Sequence, residues 1–169
     1  MMPCNYITLL LFPVLMSGCG ASPKVYSVDP VLEAYVEVFR QSASAHGLNF
    51  DNSSLLASFV ADEGKGNLGE IIGECDMESS PPAVTIGANY WNSPNTAERY
   101  RQALVDHELG HCWLRREHKP SHLIGPLGQI MDSSIMNPVI LDTGGYGEYY
   151  QNELFDPGTG IPIGFQEAP

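Results

Sequence analysis

Positive charge is scarce in this chain. Lys and Arg together number 8 against 20 Asp and Glu, for a formal net charge of −12 over 169 residues. Such a surface repels nucleic-acid phosphates and anionic headgroups, so neither nucleic acid nor electrostatic adhesion to a membrane is expected. The acidity reads as a solvated surface, because no block of like charges stands out as a tail. Long apolar runs are also missing. The stretch Tyr6 to Met16 is mostly apolar but is interrupted by Pro13. About eleven residues cover only roughly half of a ~30 Å hydrocarbon layer, which excludes a membrane-spanning helix there. No internal repeat and no second domain can be discerned, and the length suits one domain with a single modest core. The Gly- and carboxylate-containing stretch from Asp142 to Glu148 lacks the spacing of an EF-hand and reads as a loop.

Charge of either sign is absent from the first 18 residues, MMPCNYITLLLFPVLMSG. An apolar segment of this length, followed by small residues, has the anatomy of a secretory h-region. Its end, LMSGCG, resembles a bacterial lipobox, with Ser17 and Gly18 before Cys19. It departs from that pattern in having no Lys or Arg before the apolar run and Met16 where Leu is commoner. The resemblance implies a diacylated Cys19 as the mature N-terminus, with residues 1–18 as a lipoprotein signal peptide and 19–28 as a tether. An ordinary signal peptide is the alternative. Gly20 stands where an inner-membrane retention signal would place Asp, which points to the outer membrane or cell surface. In this reading the protein is exported to the cell envelope and meets the membrane only through its N-terminal lipid.

Cys4 would leave with the leader and Cys19 would carry the lipid, so Cys75 and Cys112 remain. In an exported protein such a pair is most simply a disulfide. Two separate buried thiols, or a Cys112 that joins a metal site, are the alternatives. The bond would tie a strand to a helix and close a loop of about 37 residues, worth roughly 3–4 kcal/mol in the chain-entropy account.

Asp29-Pro30 has the form of an N-cap followed by Pro at the first helical position. Leu32, Tyr35, Val36, Phe39 and Ala43 recur at helical spacing, which predicts an amphipathic helix over residues 30–46 that stops at Gly47. Residues 55–61 (LLASFVA), 70–75 (EIIGEC) and 83–91 (AVTIGANYW) read as strands. Gly87, inside the third, marks a bulge or a close backbone approach. A second long helix is expected over residues 96–114. Beyond Pro120 the chain is rich in Gly and Pro, with one short helix near 148–155. This order predicts an α+β layered domain.

The chain has five histidines, and three of them fall in HELGHCWLRREH, residues 107–118. His107 and His111 are four apart, so on a helix they differ by about 40° in azimuth and one turn in height. Both imidazoles can reach one ion at the usual Zn–N distance of about 2.0–2.1 Å. Glu108 points about 100° away from His107, outside the coordination shell but close enough to take a proton from bound water. Gly110 leaves room for close packing against the helix. The bland alternative is a helix whose histidines are exposed or hydrogen-bonded.

These residues are followed by Ser134-Ile135-Met136-Asn137-Pro138. HELGH, a further His and SIMNP together resemble the metzincin clan of zinc-dependent metallopeptidases over roughly residues 96–138. The resemblance implies His107 and His111 as zinc ligands, Glu108 as general base and Met136 as the methionine of the turn beneath the metal. It also implies a small zincin-like fold: a few-stranded mixed sheet packed with an N-terminal helix and an active-site helix, then a loop-rich C-terminal part. Residues 29–169 would form this single catalytic domain. The clan's third ligand stands six residues after the second His, where this chain has Glu117, and Leu114 replaces the glycine that ends the helix. Cys112, Leu114, Arg116 and His118 fit a pattern similar to bacterial zincin-like lipoproteins, HELGHCxLxRxH followed by SIM, which makes His118 the third ligand.

Helix geometry turns that into a constraint. On an unbroken helix His118 would share the azimuth of His107 but lie about 16 Å along the axis. The helix must therefore end between Cys112 and Glu117 and the chain must fold back. No Gly marks the reversal, so a residue such as Arg115 or Arg116 must hold an unusual backbone angle. Pro120 assists, because it pushes Lys119 toward extended conformations. His122 and Glu148 are rival third ligands. His46 reads as a cation at a helix C-terminus or a surface residue, Met131 as packing, and Tyr146, Tyr149 and Tyr150 as packing more than as transition-state donors. The expectation is a peptidase with one zinc per chain acting on a peptide or protein substrate. The rival is a non-catalytic zinc-binding envelope module, against which Glu108 beside an open coordination position argues.

Overall fold

The computed structural model describes residues 26–50, 54–61, 72–139 and 143–169. The expected signal peptide, Cys19 and most of the expected tether lie outside the described residues. The first described residues do not form a tether. Tyr26–Val28 is a strand, β1, which pairs in parallel with β2 (Leu55–Val60). Pairing is completed at its end, where the Asp29 N–H donates to the Ala57 carbonyl at 2.8 Å.

Helix α1 (Pro30–Ala45) begins as the sequence predicts. The Asp29 side chain accepts from the Val31 N–H at 2.9 Å and Pro30 occupies the first turn. Leu32, Val36, Phe39 and Ala43 are buried along one face, the i, i+4, i+7 stripe that a surface helix presents to a core. Strands β3 (Gly73–Asp76) and β4 (Ala83–Gly87) complete a four-stranded sheet of order β1-β2-β4-β3. β1, β2 and β4 run parallel and β3 runs antiparallel at the edge, so the sheet is mixed and the domain is α+β.

The third expected strand stops short. At Gly87 the chain leaves the sheet and forms a five-residue helix, α2 (Ala88–Asn92). Gly87 is thus a strand end and helix N-cap, not a bulge. Packing explains the turn: Trp91 is buried, edge-on to Tyr35 at 4.8 Å and to Phe59 at 5.3 Å between ring centroids. Continued alternation could not have brought this large ring into the same core.

Helix α3 (Glu98–Cys112) runs through the middle of the domain. Residues 103–110 are all buried, and they include Asp106, His107 and Glu108 beside Leu104 and Leu109. Burial all round a helix that carries three ionisable residues in succession requires specific partners for each. Asp106 is held by Gln102 at 2.8 Å and Gln151 at 2.6 Å, and burial pushes its carboxyl up to about 7. A disulfide joins Cys75 on β3 to Cys112 at the end of α3, as the cysteine count predicts. Beyond α3 come β5 (His122–Ile124), β6 (Ile130–Asp132), helix α4 (Gly147–Phe155) and β7 (Gln166–Glu167). β5 is the centre of a small antiparallel sheet of order β6-β5-β7. Among the described residues no helix is long and apolar enough to cross a membrane.

Candidate metal centre

The helix that carries His107 and His111 ends at Cys112, and Arg115 then adopts φ 56°. This left-handed residue reverses the chain, and the Arg116 N–H donates back to the Gly110 carbonyl at 3.0 Å. The reversal returns His118 to the helix. The Nε2 atoms of His107 and His111 lie 3.1 Å apart, and those of His107 and His118 lie 3.2 Å apart. Among the described residues this is the one cluster of His, Cys or carboxylate groups that could hold a metal ion. His107 is buried, His111 half-buried and His118 exposed, so the cluster opens toward solvent on one side.

The donor set fits a tetrahedral ion. Two nitrogens bound to one zinc at about 2.0–2.1 Å and the tetrahedral angle lie about 3.3–3.4 Å apart, close to the separations here. The tautomers agree as well. His107 Nδ1 lies 2.8 Å from the Ile135 carbonyl and His111 Nδ1 lies 2.6 Å from the Arg116 carbonyl. A carbonyl can only accept, so both Nδ1 atoms carry the proton and both Nε2 atoms are bare lone pairs. Two bare lone pairs 3.1 Å apart repel unless a cation lies between them. Burial, with His111 and His118 nearby, holds the His107 pKa down at about 4, despite its carbonyl bond. Burial also lowers that of His111. Neutral imidazoles are the form that ligates a metal.

Glu108 is 4% exposed and joins no part of the triad. Burial, reinforced by the charge of Glu74 on β3, pushes its carboxyl up to about 8. Strand β3 reaches it through Gly73: a Cβ there would lie 2.5 Å from Glu108 Oε1 and 2.7 Å from Leu104 Cδ1. The close backbone approach at Gly73 is not expected from the sequence, where only Gly87 is singled out in a strand. Gly110 has the predicted function, since a Cβ there would lie 2.6 Å from Met136 Sδ. Met136 is fully buried in a turn whose residues 133–137 are all buried.

The rival ligands are elsewhere. His122 Nδ1 pairs with Asp132 Oδ1 at 2.6 Å across the β5–β6 ladder. Glu148 is exposed in the first turn of α4. His46 caps α1, with its ring against Phe155 and Nε2 3.0 Å from Asn152 Oδ1. Met131 packs against the core. Tyr149 and Tyr150 donate to the carbonyls of Ser133 and Asp132 at 2.7 and 2.9 Å, so both brace the turn region. Tyr146 is exposed and meets Phe165 edge-on.

A cleft of about 630 Å³ is lined by Ile72, Tyr90, Thr96, Val139 and, from the first turn of α3, Tyr100 among others. Tyr100 is seven residues before His107, and thus lies on the same face of the helix about 10 Å away. Tyr90 lines this cleft, whereas Trp91 is in the core. Comparison with family models, with curated proteins and with solved structures finds no match for the chain.

Proposed function

We propose that the protein is a zinc-dependent peptidase of the metzincin-like type, in which His107, His111 and His118 hold the ion. The observation that carries this reading is the convergence of the three Nε2 atoms at 3.1 and 3.2 Å, with a buried carboxyl next in sequence and one side open to solvent. Three imidazoles leave one position of a tetrahedral zinc for water or substrate.

A zinc ion at this place supplies Lewis acidity, which acidifies water and polarises a carbonyl. The chain's own residues do the rest. The Ile135 and Arg116 carbonyls fix which nitrogen of each helical imidazole faces the site. Glu108 takes the proton of the attacking water on its carboxylate and gives it to the nitrogen of the leaving amine. Met136 and Gly110 pack the floor so that the helix cannot shift beneath the triad. Strand β3 is the edge of the sheet and passes against Glu108 at Gly73, where an extended peptide can add as a further strand. The Cys75–Cys112 disulfide accords with an oxidising compartment and so with export; a lipid anchor at Cys19 rests on the lipobox resemblance alone.

The test is a paired measurement on purified protein. Wild type should contain about one zinc per chain and cleave members of a peptide library. Glu108→Ala should keep the zinc and lose the cleavage. Wild type that holds zinc and cleaves nothing would replace the peptidase by a zinc-binding module.

A further inference from the structure

Both carbonyls that orient the helical imidazoles belong to loops. Arg116 lies in the reversal after α3, and Ile135 lies in the buried turn after β6. A loop carbonyl can fix a ring only if the loop is itself held. The two loops touch directly, because the Lys119 N–H donates to the Met136 carbonyl at 2.8 Å. A second tie comes from a single carboxylate on α4, far away in sequence.

Glu153 is 1% exposed. Its Oε1 accepts from Arg116 Nη2 at 2.7 Å and from Lys119 Nζ at 3.3 Å. Its Oε2 accepts from Ser134 Oγ at 2.5 Å, and that hydroxyl accepts in turn from the Met136 N–H at 3.0 Å. Arg116 also donates through Nη1 to the Glu153 and Leu154 carbonyls at 2.6 and 2.9 Å, which satisfies free carbonyls near the end of α4. Each carboxylate oxygen therefore holds one loop: Oε1 the segment that orients His111, Oε2 the segment that orients His107. A buried carboxylate is costly unless its charge and lone pairs are all matched, and here every partner comes from the two loops flanking the triad.

We propose that Glu153 is a positioning residue for the metal site, which sets the geometry of His107 and His111 at one remove from their carbonyl partners. The proposal rests on the metal-site reading above but not on any peptidase activity. It assigns to α4 a part in metal affinity that no residue of α4 has by contact with the triad.

The test uses the full chain and zinc alone, with affinity read by competition against a chromophoric chelator and geometry by the visible spectrum of the cobalt-loaded protein. Glu153→Gln keeps the shape but loses the charge. It should weaken zinc binding about 10–100-fold, as loss of outer partners of a ligand does, and alter the cobalt spectrum while the zinc-free protein still unfolds cooperatively. Ser134→Ala and Arg116→Lys each cut one arm, leave both backbone carbonyls in place, and should each show a fraction of that loss. Combining Ser134→Ala with Glu153→Gln should add little to Glu153→Gln alone, because both act through one link. If Glu153→Gln does not fold, the two single-arm variants carry the test. Unchanged zinc affinity and cobalt spectrum in the folded variants would overturn the positioning role and leave the metal site standing. A wild type that binds no zinc would overturn both.

Discussion

Gly73→Ala separates what the fold needs from what the site needs. The added methyl would lie 2.5 Å from Glu108 Oε1, 2.7 Å from Leu104 Cδ1 and 3.0 Å from Glu108 Cδ, whereas ordinary contact begins at 3.4 Å. The Glu108 carboxylate must therefore retreat by about 0.9 Å, and Leu104 by somewhat less. Both clashing groups are ends of side chains, so the backbone need not move. Overpacking of this kind costs about 1–3 kcal/mol, and removing a glycine from a strand returns about 0.5–1 kcal/mol. Stability should fall by no more than about 2.5 kcal/mol by urea titration. Catalysis is far more sensitive, since a misplacement of about 1 Å in a proton-transferring group costs on the order of 10²-fold. In a fluorogenic peptide assay Gly73→Ala should lose about that much kcat with its zinc content intact. A variant that cleaves at the wild-type rate would refute the placement of Glu108 against β3. A variant that loses its zinc would show that β3 supports the ligands and not the proton carrier.

Three further outcomes are expected. His118→Ala should lose most of the bound zinc, while His122→Ala, whose ring is committed to Asp132 at 2.6 Å, should retain it; metal analysis after dialysis decides. Arg115 sits at φ 56°, where a non-glycine residue carries strain of about 1–2 kcal/mol. Arg115→Gly should leave zinc affinity unchanged and keep or raise the unfolding midpoint, whereas Arg115→Val should lower both. Burial, with the charges of Glu153 and Glu167, pushes the Tyr149 phenol up to about 12, against about 10 in the unfolded chain. The folded state thus keeps a proton that the unfolded state releases, so its stabilising contribution is complete below pH ~10 and lost as pH rises toward ~12. Tyr149→Phe should flatten that alkaline decline in urea titrations run across this range.

The site was legible to the depth at which chemistry follows from spacing. His107 and His111 are neighbours because a helix repeats every 3.6 residues; His118 was implied by the resemblance, and helix length added only that the helix must end before Glu117 for it to return. That argument also located the strained reversal, which falls at Arg115. What spacing does not encode is contact across the fold. Glu153 is one carboxylate in an ordinary short helix, and nothing within α4 shows that two distant loops converge on it. The approach at Gly73 was hidden for the same reason, because only the antiparallel placement of β3 at the sheet edge brings Gly73 to Glu108. The short helix α2 escaped because AVTIGANYW alternates well enough for a strand, and the burial of Trp91 overrides the pattern.

The origin of the three imidazoles gives the site unequal kinetics. Two sit one turn apart on α3, whose residues 103–110 are wholly buried, and they separate only when the domain unfolds. The third stands on an exposed loop beyond Arg115. Opening this loop breaks the Arg116 and Lys119 contacts to Glu153 but leaves α3 folded, so it costs less than global unfolding. An ion bound here would therefore enter and leave through the His118 side, with two ligands in place throughout. Its residence time would follow the opening rate of residues 113–121 and not the rate of global unfolding.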